Sequence, residues 1–143
     1  MTASARSPSA AMYAYVAAGG ALGAVMRWLV GPWVAAFAGA AWPWGTLLIN
    51  VTGSLFIGFL LRFLPLRGAP PEARAFLAVG ICGGYTTFST YAFETVTLAA
   101  AGRTAAAVAY ALASVALCLA ATFAGFWIGE AIALRGHPRI PAD

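Results

Sequence analysis

Long apolar runs separated by short polar connections set the pattern of this chain: Met12 to Val30, Trp44 to Leu61, Ala75 to Ala101 and Ala105 to Ile128. Each is close to the ~20 residues that a helix needs to cross a bilayer, and only Arg27 and Glu94 place a charge within them. The pattern predicts an all-α integral membrane protein with four transmembrane helices in a single transmembrane domain over residues 1–143. The connections Gly31 to Pro43, Arg62 to Arg74 and Gly102 to Thr104 leave no room for an extramembrane domain. Function therefore has to lie within the membrane.

The third run is interrupted. Gly83-Gly84-Tyr85-Thr86-Thr87-Phe88-Ser89-Thr90 falls inside an uncharged stretch, and glycine costs ~1 kcal/mol against alanine in a helix interior. The composition predicts a helix broken at its middle. In lipid an irregular backbone survives only where its freed amides and carbonyls face protein, an ion or water, so the break marks a site for a small ion.

The other runs carry polar residues at helical spacing. Thr46, Asn50, Gly53, Ser54 and Gly58 gather on one face of the second run. Asn50 has two readings: a helix-to-helix hydrogen bond worth ~0.6 to 2 kcal/mol, or an amide donor offered to an anion. In the fourth run Tyr110, Ser114, Cys118 and Thr122 recur every four residues, a stripe that suits packing or a pore wall equally. Beyond the break stand Thr87, Thr90, Glu94 and Thr97. Glu94 is the only carboxylate in a span, so it is a functional candidate by default, with a structural hydrogen bond as the other reading. In the first run Gly19, Gly23, Gly20 and Ala24 supply the small surfaces that let helices approach closely.

Composition fixes the class. The chain is 62% hydrophobic and 8% charged, with a mean hydropathy of +0.85, against about 25% charged residues in soluble domains. A cleaved signal peptide is disfavoured, because the first apolar run continues through Gly23 to Arg27 with no hydrophilic mature domain after it. The net charge of +4 comes from eight arginines spread over loops and helix ends, not from a clustered basic face, which excludes nucleic acid as a partner. With four spans, Arg6, Arg62, Arg67, Arg74, Arg135 and Arg139 share one side. By the positive-inside rule that side is cytoplasmic and holds both termini. Trp28, Trp33, Trp42, Trp44 and Trp127 suit interfacial positions near helix ends.

Several motifs fall away. Cys82 and Cys118 have no CxxC spacing and read as small buried hydrophobes. Asn50-Val51-Thr52 matches a glycosylation sequon but lies within a span. His137, in the tail from Leu134 to Asp143, has no partner for hydrolytic chemistry, so no enzyme activity is predicted. No ring of acids selects cations and no lysine fixes an organic anion. Amide and hydroxyl donors beside phenylalanine, whose ring edge is positive, suit a small anion, while released carbonyl oxygens at the break suit a hard cation such as sodium.

Three segments resemble the Fluc (CrcB-type) fluoride channels in their family order: Gly19-Gly20-Ala21-Leu22-Gly23-Ala24-Val25-Met26-Arg27, Gly45-Thr46-Leu47-Leu48-Ile49-Asn50-Val51-Thr52-Gly53-Ser54, and Gly80-Ile81-Cys82-Gly83-Gly84-Tyr85-Thr86-Thr87-Phe88-Ser89-Thr90. The resemblance covers three of the four runs and the overall length. It implies an antiparallel, dual-topology homodimer in the bacterial inner membrane, with two passive fluoride pores that export cytoplasmic fluoride. It also implies one structural sodium ion at the dimer centre, held by main-chain carbonyls of Gly83 and Thr86. The family's pore asparagine maps to Asn50, its first-helix arginine to Arg27 and its first box phenylalanine to Phe88. The second box phenylalanine is Tyr91 here, a departure whose phenol could donate to the ion or crowd its path. Tyr110 and Ser114 resemble the polar track of the fourth helix, and Thr87, Thr90 and Glu94 fall where the family keeps polar residues.

The arginine count stands against equal insertion both ways. Two rival readings remain: a proton-coupled exporter of the small multidrug type, which needs a carboxylate in the first span where this chain has none, and a non-transporting membrane scaffold whose polar stripes serve only packing.

Overall fold

The computed structural model describes residues 9–39 and 41–135; Arg6, His137, Arg139 and the tail beyond Arg135 lie outside the described residues. The architecture is all-helical. Helix α1 spans Ala10–Ala38 and α2 spans Trp44–Leu66. A short α3, Pro71–Arg74, runs into a π-helical segment, Ala75–Cys82, and then a single turn, α4, Gly83–Tyr85. After two extended residues come α5, Phe88–Ala100, and α6, Thr104–Leu134. Helices α1, α2 and α6 are each long and apolar enough to cross a membrane, which makes this a multi-pass membrane protein.

The helices outrun the apolar runs that predict them. Helix α1 continues through Gly31 and Pro32 to Ala38, because Val34 is buried and holds the extra turns against the bundle. Ser9 opens the helix, its hydroxyl accepting from the Met12 amide at 3.3 Å. Gly39, with φ of +78°, ends it in a conformation that side chains rarely adopt.

Two crossings organise the bundle, and both are made by backbones in contact. Helix α1 packs on the π-helical segment and α4, and α2 packs chiefly on α6. A Cβ on Gly19 would strike the Phe76 carbonyl and stand 2.9 Å from the Gly80 Cα, and one on Gly84 would strike the Gly20 carbonyl. At the second crossing a Cβ on Gly58 would meet the Thr122 carbonyl, and one on Gly125 the Leu55 carbonyl. Lipid tails are as apolar as leucine, so helices in a bilayer associate through such close dispersion contact. The small residues of the first span thus serve packing.

The third run breaks as its composition predicts, but not at its glycines. Gly83 is helical, with φ of −64° and ψ of −38°. The chain leaves the helix at Thr86, φ −80° and ψ 161°, and Thr87, φ −151° and ψ 124°. Gly84 is needed where α1 passes over it, while the threonines hold the bend. The preceding π-helical segment is of a kind that recurs at functional sites.

Candidate functional site

The bend is held by the side chain of Asn50. Its Nδ2 donates to the Thr87 carbonyl at 2.9 Å, and its Oδ1 accepts the Thr87 amide at 2.8 Å. The amide and carbonyl of Thr87, which a continuous helix would pair internally, are thereby satisfied by α2. An Asn amide carries two N–H groups. One is spent on Thr87, which leaves the other N–H on a residue that lines the groove.

Thr87 also starts α5. Its Oγ1 accepts from the Thr90 amide at 3.2 Å and pairs with the Thr90 hydroxyl at 3.1 Å and the Ser89 hydroxyl at 3.1 Å. The first of these is an N-cap bond that satisfies one of the amides a helix start leaves without a partner. The bonds to the two backbone amides also release carbonyls. The Thr87 amide turns to Asn50 instead of Gly83, and the Thr90 amide turns to the Thr87 hydroxyl instead of Thr86. The carbonyls of Gly83 and Thr86 therefore lose the donors that a continuous helix would give them. Nothing lies within 4 Å of the position a Cβ on Gly83 would take. Hard carbonyl oxygens of this kind suit an alkali cation, and among the described residues no cluster of His, Cys, Asp and Glu competes for a metal.

Thr87 borders two cavities. A groove of about 540 Å³ is lined by Asn50, Ser54, Thr86, Phe88, Tyr91 and Ser114 among others. A mouth of about 660 Å³ is lined by Arg27, Trp42, Thr46, Thr90 and Glu94 among others, and Thr87 borders both. Of the sequence-predicted residues, Arg27, Thr87, Thr90 and Glu94 line the mouth and Asn50, Gly83, Thr86, Thr87, Phe88, Tyr91 and Ser114 line the groove, whereas Tyr110 is buried and lines neither. Among the described residues Arg27 makes no ion pair, the one such pair being Arg62–Glu130 at 2.7 Å between α2 and α6.

At the mouth Glu94 is clamped from two helices. Thr46 donates to Oε1 at 2.8 Å, and Tyr110 donates to Oε2 at 2.7 Å. Tyr110 is fully buried, and its hydroxyl donates to this carboxylate. The structural hydrogen bond read for Glu94 is present, and the carboxylate also borders the mouth. In the sequence Thr46 is legible only as a member of the α2 stripe; its hydroxyl proves to be one of two donors that hold Glu94.

The groove differs in character. Ser114 is buried with an Oγ that has no hydrogen-bond partner, and it lines the groove together with Asn50. Phe88 is 78% exposed and its ring lies 5.4 Å from that of Tyr91. The Tyr91 hydroxyl is turned to the scaffold, donating to the Ala111 carbonyl of α6 at 3.4 Å. The phenol is engaged there, and the residue forms part of the groove wall. Thr97 and Thr122 donate back to the carbonyls of Phe93 and Cys118 on their own helices, and those two stripe members line neither cavity.

Comparison with known proteins follows the same outline. Residues 14–126 match the family model described as "CrcB-like protein, Camphor Resistance (CrcB)". The chain is 51% identical over 118 residues to a protein of Rhizobium meliloti strain 1021 named fluoride-specific ion channel FluC, covering 82% of this chain and 94% of that one. It is 52% identical over 118 residues to the Nitrobacter winogradskyi protein of the same name, with the same coverage. Identity to a Thermus thermophilus protein, also so named, is 47% over 121 residues, covering 84% and 94%.

Proposed function

The chain belongs to the CrcB-like family of ion channels, a class that is not enzymatic, and on that footing we propose that it is a fluoride-selective passive channel that exports fluoride from the cytoplasm. The observation that carries this reading is that Thr87 stands in the walls of both the Arg27 mouth and the Asn50 and Ser114 groove. The side chains that offer themselves to an ion there are donors or a cation except Glu94, whose two oxygens are already engaged.

Fluoride is small and strongly hydrated, so a path must exchange water for protein donors. Arg27 raises the local concentration of anions at the mouth. The hydroxyls of Thr90 and Thr87 lead to the bend, where the spare Asn50 N–H and the unpartnered Ser114 hydroxyl receive the ion. Phe88 and Tyr91 present ring edges, which carry partial positive charge, and their bulk keeps the path narrow against larger halides. Transport runs down the gradient. No carboxylate in α1 offers a proton-coupled alternative, and the exporter reading finds no support among the relatives.

A second copy completes the site in this reading. Phe88 is 78% exposed at the open side of its own groove, which suits closure by an antiparallel partner. Sodium would be held by the Gly83 and Thr86 carbonyls of both copies, supplying a positive charge that ties two bent helices together. Antiparallel pairing requires insertion in both orientations against the arginine bias, so labelling that finds one orientation only would remove this part of the reading.

The test is direct. Purified protein is reconstituted in liposomes loaded with fluoride or chloride, the membrane potential is clamped with a potassium ionophore, and efflux is recorded with ion-selective electrodes. Fast fluoride efflux without chloride efflux is expected; silence from folded protein overturns the reading.

A further inference from the structure

Of the tryptophans that sequence assigns to the membrane interface, Trp42 does something else. Trp28, Trp33 and Trp127 are 73%, 62% and 73% exposed, and Trp28 borders the mouth without being packed into the buried cluster. Trp42 is only partly exposed, packing against the buried cluster of Leu47, Leu98, Ala107 and Tyr110. Its ring meets that of Tyr110 edge-on, with centroids 5.4 Å apart and planes at 75°. The same residue lines the mouth together with Arg27 and Glu94.

The backbone fixes it there. Pro43 has φ of −77° and ψ of 58°, and the Trp44 amide donates to the Trp42 carbonyl at 2.8 Å. That is an inverse γ-turn, centred on a residue whose ring already restricts φ. The turn brings the two indoles together at 4.5 Å and 64°. Trp42 is thereby braced by Trp44 and laid against Tyr110.

Tyr110 has one polar side-chain atom, and that atom donates to Glu94 at 2.7 Å. A ring can place its hydroxyl on a fixed acceptor only if the ring cannot swing. Tyr91, which lines the groove, contacts it at 5.5 Å, and Trp42 contacts it from the mouth. An edge-to-face pair of this kind adds ~0.5 to 1.5 kcal/mol beyond its buried area and prefers a defined orientation. We propose that Trp42 is a positioning residue for the anion path, holding the Tyr110 hydroxyl on Glu94 so that the carboxylate at the mouth stays engaged by its donors. The proposal rests on the fluoride-channel reading and names the loop between α1 and α2 as part of the machinery.

The experiment is a double-mutant cycle read in fluoride efflux from the full-length protein in liposomes. Trp42→Leu keeps apolar bulk and removes the ring, Trp42→Phe keeps an edge-on ring, and Tyr110→Phe removes the hydroxyl. Trp42→Leu is expected to slow efflux about tenfold, the scale of one ordinary hydrogen bond lost from the path. Trp42→Phe should stay within about twofold of the parent rate, and Trp42→Leu added to Tyr110→Phe should cause no further loss, because coupled residues are non-additive. Unchanged efflux in Trp42→Leu, or losses that multiply in the double variant, overturns the proposal. If Trp42→Leu fails to fold, Trp42→Phe in the parent and Tyr110→Phe backgrounds carries the test, and a loss well beyond about twofold that Tyr110→Phe does not absorb overturns it. An unmodified protein that moves no fluoride overturns the channel reading, and this inference with it.

Discussion

Asn50 and Thr87 are joined by two hydrogen bonds of opposite sense, 2.9 Å from the side-chain amide to the carbonyl and 2.8 Å from the backbone amide to the side-chain oxygen. The pairing fixes which atom of the Asn50 amide is nitrogen, since the reverse placement would set donor against donor and acceptor against acceptor. It also ties two tasks together: the residue that holds the bend is one that lines the groove.

Asn50→Ala should therefore fail twice. The Thr87 amide and carbonyl would be left unpaired within the membrane, each costing about 1 to 3 kcal/mol, and fluoride efflux should disappear. Asn50→Asp separates the effects. It keeps the acceptor for the Thr87 amide, loses the donor to the carbonyl and brings a negative charge to the groove, so its midpoint should fall less than that of Asn50→Ala while efflux is still lost. Thermal unfolding in detergent, run beside liposome flux, checks both.

Phe88→Ala should leave protomer stability nearly untouched, because the ring is 78% exposed. Efflux or its selectivity over chloride should change strongly. Loss of folded protein without any selective effect on flux would instead favour the scaffold reading.

Thr46→Val and Tyr110→Phe each remove one donor from Glu94. Each is expected to cost about 1 to 3 kcal/mol of stability, since a charged or polar group of limited exposure loses a partner. The two together should exceed the sum, because the carboxylate is then left with neither. Chemical denaturation of the single and double variants measures this.

At the helix crossings the sign depends on position. Gly125→Ala drives a methyl into the Leu55 carbonyl, with the Phe59 amide nitrogen 2.7 Å away; overpacking of this kind costs about 1 to 3 kcal/mol or more. Gly83→Ala meets nothing within 4 Å in the protomer and is helical in φ, so protomer folding should survive. Under the proposed pairing with a second copy, Gly83→Ala is expected to lower the dimer population on size exclusion, and an unchanged population would place the partner elsewhere.

Much of this is readable from the sequence, and the misses share a cause. Apolar length gives the helices, and the cluster from Gly83 to Thr90 gives the bend, because hydropathy and propensity are local. Propensity points to the glycines as the break, yet Gly84 serves the α1 crossing and Thr86 and Thr87 carry the extended backbone; only the distant Asn50 decides which residue leaves the helix. Helical spacing puts Thr97 and Thr122 on the same stripes as Thr90 and Ser114, but spacing does not say whether a threonine bonds back to its own helix. Trp42 reads as an interfacial anchor for the same reason. Its inward turn depends on Pro43 and on Tyr110, which lies far along the chain.

Helices α1 and α6 run 29 and 31 residues, or about 44 and 47 Å at helical rise, whereas the hydrocarbon slab is about 30 Å thick. The excess is absorbed by tilt or by ends standing among the headgroups. Membrane thickness therefore acts on the angles at which α1 meets the π-helical segment and α6 meets α2, contacts too tight to adjust by side-chain movement. The surrounding lipid is in that sense a structural component, and the same chain is expected to tilt differently in short-chain and long-chain lipids.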